Sequence, residues 1–430
     1  MSLEKFFRIA KNDLFSLCRS ITGKGTEKTL RIIKNEFPKL KILKKKCGSK
    51  VFDWKIPSEW NVSDAYILDK SNKKIVDFKK NNLHLVGYSV PIKKNIKQRD
   101  LLKKLFSLPD KPDAIPYHVS YYKKSWGFCV TDKQKKMISK NYKSNDIFNV
   151  VIKSNFKKNG YLKYGELIIP GKSKQEILVS TYICHPSMAN NELSGPIVSM
   201  LLIDNYYKKK LKKTIRFLFI PETIGSLTYL SHKLIYLKRN VIGGYNLSCI
   251  GDNRKHSCIL SRNENSQSDK SLLEAYKQLK IHYKIFSYLE RGSDERQYNS
   301  PYVDLGITSI FRSKYGEYPE YHTSHDIFGR VVTKEGLNGG YKVAKKSIDI
   351  LQEKIIPKSN IYCEPRLSKY GLYKKFDIKK KRNITRDYIN FMTYSDGKND
   401  LSDIAQKIKL SPQKTKKYLK ILIKKKLISI

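Results

Sequence analysis

No apolar run in this 430-residue chain approaches the ~18–20 residues a membrane-spanning helix needs. Cysteine is sparse: the seven are odd in number and scattered, with no Cys-x-x-Cys, which argues against a disulfide framework and a cysteine zinc knuckle. Acidic residues are few, 39 against 86 basic ones, for a formal charge of +47. Arginine is scarce too, at only 15 of those 86. Arginine is the side chain preferred for bidentate phosphate recognition. The charge is therefore read as solvated surface rather than a nucleic-acid footprint. "MSLEKFFRIAKNDLFSL" places Leu3, Phe6, Phe7, Ala10, Leu14 and Leu17 on one helical face, and its acidic and amide residues come too early for a signal peptide. A cytoplasmic location is expected.

The absence that organises the sequence is local. "STYICHPSMANNELSGP", residues 180–196, holds no lysine or arginine, and its one charged side chain is Glu192. Residues 217–231 also lack basic residues. Two readings stay open: these windows are buried core, or they wall a site for a dication, from which like charge is excluded.

Around them, "EILVSTYIC", "TIRFLFIP", "VIGGYNLSCIG" and "ITSIFRS" read as buried strands alternating with helices. That predicts an α/β fold with a mostly parallel sheet and helices on both faces. Ligands collect at the carboxyl ends of such strands. His185, Glu222 and Ser248 fall just there, and His322 follows the fourth strand in a loop. Upstream, "DAYILDKSNKKIVDF" reads as a hairpin, "AIPYHVSYYKKSWGFCV" as extended, and Asn159-Gly160 as the turn of a second hairpin. Thr26 reads as the N-cap of a helix over "TEKTLRIIKNEF". The aromatics Trp54, Trp60, Tyr121, Tyr122 and Trp126 read as core of a small β unit, with sugar stacking the alternative. The expected division is an α/β domain over 1–47 and 151–357, an inserted β domain over 48–150, a linker over 358–383 and a winged helix over 384–430. In the last unit Ser411 and Pro412 form a helix start. Its final helix carries Lys414, Lys416, Lys417 and Lys420, with Gln413 alone suited to base reading, so specific nucleic-acid binding is not expected.

Two histidines from distant strand ends, with carboxylates nearby, are the economy of a hydrolytic zinc site with a glutamate as proton acceptor. The order His185, "NNELSG", "PETIGS", "NLSCIG", "SDERQY", "YHTSHD" resembles the zinc aminopeptidases that use two metals. More closely, "RSITGKGTEKTL", "VFDWKIPSEW", "CHPSMANNELSGP", "GSDERQY" and "YHTS" resemble a bacterial family of aminopeptidase-like proteins associated with polysaccharide biosynthesis, with an inserted β domain and a C-terminal winged helix. The resemblance implies metal ligands at His185 and His322 and a general base at Glu222. Asn191, Thr223 and Ser248 stand at three carboxylate-ligand positions of the family, which argues against two ions. One zinc is expected, with Asn191, Glu192 and Asp294 counted in its site, Asp252 as a further candidate donor, and Arg296 and Tyr321 on the substrate. The expected activity is hydrolysis of an amide in a peptide or an acylamino or aminoacyl sugar. A catalytically retired binding protein and a winged-helix-mediated regulatory protein are the alternatives, and self-association is left open.

Overall fold

A computed structural model describes residues 2–373 and 384–430. Eight strands form one mixed sheet: β1 (Lys41–Lys46), β2 (Tyr161–Ile169), β3 (Gly171–Tyr182), β4 (Leu211–Ile220), β5 (Val241–Leu247), β6 (His256–Ile259), β7 (Tyr283–Phe286) and β8 (Ile307–Phe311). Their order is β1-β2-β4-β3-β5-β8-β6-β7. The centre, β4-β3-β5-β8, is parallel, so its carboxyl ends open on one edge. The four-residue strands β6 and β7 were not anticipated from the sequence.

Side-chain alternation explains why the buried carboxyl halves of β3 and β4 lack lysine. Ile177 and Val179 of β3 and Ile215, Phe217 and Phe219 of β4 enter one core, whereas Leu178, Leu218 and Ile220 enter another. With both faces covered, an ammonium on either would be desolvated without a partner. The first core is closed by helices α1 (Ser2–Ile9), α2 (Lys24–Glu36), α3 (Ser194–Tyr207), α5 (Gln267–Gln278) and α6 (Lys334–Glu353), the second by α4 (Ile224–Asn240). Residues 176–203 are buried without interruption. The quiet window is thus core along its whole length, and that does not decide against a site at its end. Helix α3 lies so close to the sheet that a Cβ on Gly195 would stand 2.3 Å from both Leu247 O and Thr181 Oγ1.

A second sheet orders Lys74–Asp77, Glu59–Leu68, Ile147–Lys157 and Ile92–Lys97, the first two forming the expected hairpin. Its residues Trp60, Phe148, Val150 and Ile152 share one core with Leu178 and Leu218 of the large sheet. The hairpin expected at Asn159-Gly160 does not form. Ile147–Lys157 and β2 enter different sheets, and Gly160 is needed for close approach, since its Cβ would meet Glu59 Cβ at 2.3 Å. The aromatic stretch 114–130 is mostly loop, with one short strand, Phe128–Cys129. Helix α2 is preceded by Gly23 rather than capped by Thr26, whose hydroxyl donates to Ser20 O. Trp60 is core, while Trp54 and Tyr122 are exposed and face each other with ring centroids 6.4 Å apart.

The C-terminal unit has helices α7 (Ile384–Thr393), α8 (Leu401–Lys407) and α9 (Pro412–Lys424), the last capped by the Ser411 hydroxyl. The expected linker behaves differently. Ser359 pairs with Ile428, and Leu367 and Leu372 are buried in the core of this unit, while residues 374–383 lie outside the described residues. Among the described residues no helix is long and apolar enough to cross a membrane.

Candidate active site

The parallel strands release the chain at one edge, and that topology sets the site. His185 follows β3 by three residues, Glu222 follows β4 by two and Ser248 follows β5 directly. Loops after β7 and β8 supply Asp294 and His322.

His185 is buried and fixed from behind. Its backbone N–H and its Nδ1 both reach Glu192 Oε2, at 2.9 and 3.0 Å. The other carboxylate oxygen lies 3.2 Å from Arg19 Nε, and neither side chain is exposed. Arg19 also donates to His185 O at 2.8 Å and to Leu14 O. A proton on Nδ1 leaves Nε2 as the face turned to the site, 3.6 Å from Glu222 Oε2. Burial opposes charge on the imidazole, but Cys184 and Glu192 at Nδ1 outweigh it and hold its pKa well above the ordinary range.

Glu222 is placed by backbone strain. Thr223 adopts φ 63° and ψ −69°, and Ile224 N donates to Glu222 O at 2.7 Å, which closes a γ-turn of the rare positive-φ kind. Such strain persists only where surrounding contacts hold it. Here buried Asp294 accepts from Thr223 N (2.8 Å) and the Ser226 hydroxyl (2.6 Å). Ser293 donates to Glu222 Oε1 at 2.6 Å, and Arg296 Nη2 to Thr223 Oγ1 at 2.5 Å. Burial raises the Glu222 pKa despite His185, and burial with Glu222 nearby pushes Asp294 up to about 7.

His322 sits at φ 54° with its ring centroid 5.6 Å from that of His185. Tyr321 stacks on it at 3.9 Å. Its buried Nε2 has no hydrogen-bond partner, and burial, then His185, then His118 lower its pKa to about 3, so its lone pair is free at neutral pH. Tyr117 covers both imidazoles, its ring 5.2 Å from His185 and 5.1 Å from His322. The covering loop is tied on by Tyr117 N to His322 O and by Ile115 and Ser324 bonding each other, all at 2.9 Å.

The predicted metal set is thereby sorted. Glu192 holds the far nitrogen of His185, and Asp294 braces the Glu222 turn through Oδ1, while its buried Oδ2 has no hydrogen-bond partner. Asn191 Oδ1 accepts from the Tyr182 hydroxyl at 3.0 Å. Asp252, the other carboxylate considered, is occupied by Arg254 N, Asn190 Nδ2 and both donors of Ser313. Ser248 Oγ is buried and unpartnered. Among the described residues Cys184, His185 and Glu192 form a group of metal-ligating types. It is closed by the hydrogen bonds above and by the Arg19 cation, and burial pushes the Cys184 thiol up to about 11. The sequence reading missed Arg19, Tyr117 and Asp326. The last accepts from the N–H groups of Asn190 (2.7 Å) and Asn191 (2.9 Å) and so anchors the turn before α3.

An imidazole with an unpartnered nitrogen, a second one anchored through its far nitrogen, and the Glu222 carboxylate beside it suit a divalent ion with nitrogen ligands, or a metal-free proton-transfer pair.

Residues 8–354 match a family model described as a domain of unknown function, DUF4910, and residues 355–430 one described as a winged helix-turn-helix. A Clostridium acetobutylicum protein named for polysaccharide biosynthesis and an aminopeptidase-like domain is 39% identical over 398 residues, 92% of this chain and 89% of that protein. A crystal structure from the same organism, named a candidate peptidase, superposes with a TM-score of 0.78 at 36% identity, covering 100% of this chain and 97% of that one. A zinc aminopeptidase of Bacillus subtilis gives a TM-score of 0.59 at 12% identity, over 81% of this chain and 93% of its own, and bears on the fold alone.

Proposed function

From a chain that belongs to the family of DUF4910 domains, with an aminopeptidase-like fold and a winged-helix C-terminus, we propose a hydrolase of amide bonds whose proton-transferring base is Glu222. The observation that carries this is His185 Nε2 at 3.6 Å from the half-buried Glu222 carboxylate, at the carboxyl ends of parallel strands.

The unpartnered His322 Nε2 and the anchored His185 support one ion held by these two residues. When bound, such an ion supplies Lewis-acid polarisation of the substrate carbonyl and of water. The chain's own groups do the rest. Glu222, with Ser293 on one oxygen, takes a proton from the attacking water at the other and returns it to the departing nitrogen. Glu192 and Arg19 keep His185 in one orientation, and Tyr117 limits water entry. The substrate reading, a peptide or an acylamino or aminoacyl sugar, draws for the sugar on the biosynthetic name of the Clostridium relative. A cytoplasmic site of action is part of the same proposal.

A second reading is supported by the three neutral side chains at ligand positions: a retired peptidase fold that binds and does not cut. One experiment separates them. Purified protein is assayed for bound zinc and for hydrolysis across a panel of aminoacyl and N-acyl amides. The hydrolase reading expects about one zinc per chain, loss of it in His185→Ala, and in Glu222→Gln retained zinc with turnover reduced roughly 10²–10⁴-fold. Equal and negligible zinc in wild type and His185→Ala, with no cleavage, removes it.

A further inference from the structure

Arg296 is the feature of the site that the proposed chemistry leaves unused. It lies on the short helix Glu295–Tyr298, beside the base, and Arg296 Nη2 is anchored to Thr223 Oγ1. Its Nε is buried without a hydrogen-bond partner. Among the described residues no carboxylate makes an ion pair with it, whereas Arg19, Arg216 and Arg254 are each paired. The neighbouring acids are engaged elsewhere. Glu295 accepts from Gly292 N, Ser293 N, Asn246 Nδ2 and the hydroxyls of Tyr315 and Ser309. Asp294 accepts from Thr223 and Ser226 through Oδ1, with Oδ2 unpartnered, and Glu222 Oε1 accepts from Ser293.

An unpaired, partly desolvated guanidinium costs stability unless something meets it. The site's unpartnered polar atoms include the donor Arg296 Nε, the Ser248 hydroxyl, and the acceptors Asp294 Oδ2 and His322 Nε2. We infer that the site takes an anionic substrate, an amide whose carboxylate is met by Arg296. This rests on the amide-hydrolase reading for its chemistry, while the recognition itself is independent of turnover. Arginine's planar fork matches a carboxylate in two parallel hydrogen bonds, and with Nη2 tethered the side chain loses little freedom on binding.

The test uses the full chain carrying Glu222→Gln, which binds without turning over, and two probes: N-acetylglycine, with a carboxylate and no amine, and glycinamide, with an amine and no carboxylate. Dissociation constants are measured by titration calorimetry. The expected result is tighter binding of N-acetylglycine by at least ~10-fold, loss of roughly 10–100-fold on adding Arg296→Met, and partial recovery with Arg296→Lys. Unchanged melting temperatures establish that the variants fold; if Arg296→Met melts early, the Arg296→Lys comparison decides. Preference for glycinamide, indifference to Arg296, or binding of neither probe overturns the inference. Arginine-dependent binding in a protein that cleaves nothing instead removes the hydrolase reading and leaves this one standing.

Discussion

Removing the Arg19 cation tests how His185 is held. Arg19→Met keeps much of the side-chain volume but leaves Glu192 as a buried carboxylate facing only the His185 ring and backbone N–H. Arg19 and Glu192 are both fully buried and 3.2 Å apart. Breaking such a pair from one side costs about 3–5 kcal/mol, mostly the penalty of the stranded charge. Arg19→Met also strips the donors from His185 O and Leu14 O, at about 1 kcal/mol each. A loss of about 5–7 kcal/mol is therefore expected, a large share of an ordinary domain's stability. Glu192→Gln strands the opposite charge, while its amide oxygen can still accept from Nδ1. The double variant has no stranded charge, so its cost falls short of the sum of the singles by at least ~1.5 kcal/mol. Urea unfolding of the four proteins closes the cycle. Additivity within ~0.5 kcal/mol would refute the claim that Arg19, Glu192 and His185 work as a unit.

Other outcomes follow from the same geometry. Asp294 is protonated more readily folded (about 7) than unfolded (about 3.9), so its contribution to stability is lost as pH rises from about 4 to 7. Asp294→Asn lacks that loss, and its stability relative to wild type should rise by about 3 kcal/mol between pH 5 and pH 8; a pH-independent difference in unfolding midpoints would show that Asp294 is charged throughout. Gly195→Ala must move α3 away from Leu247 O and Thr181 Oγ1, at a cost of about 1–3 kcal/mol, read as a lowered melting temperature. Phe217→Ala, in the first core and fully buried, should cost about 3–5 kcal/mol, with loss of far less locating the core elsewhere.

What the sequence determined by itself was whatever neighbouring residues encode. Strands β3, β4, β5 and β8 were legible because burial on both faces forces apolar runs without lysine, and the helices between them because their caps and periods are local. His185, Glu222 and Ser248 were legible as positions because a parallel sheet puts strand ends on one edge. Tertiary structure alone decided what those residues do. Arg19 meets His185 across 166 positions, so no spacing could announce it. The role of Glu192 depended on which face of the imidazole it approached, a matter of a ring orientation fixed by Arg19. Asn159-Gly160 carries a hairpin's local signature, yet the next strand gained more by joining β1 and β4 in the large sheet, where Gly160 lets Glu59 approach. Tyr117 came from a loop that reads as strand, and its place over both histidines arises from pairing with the segment around His322. Local propensity fixes elements over a few residues, while contacts such as Arg19 with His185 and Tyr117 with His322 join residues far apart in the chain, and only packing selects those.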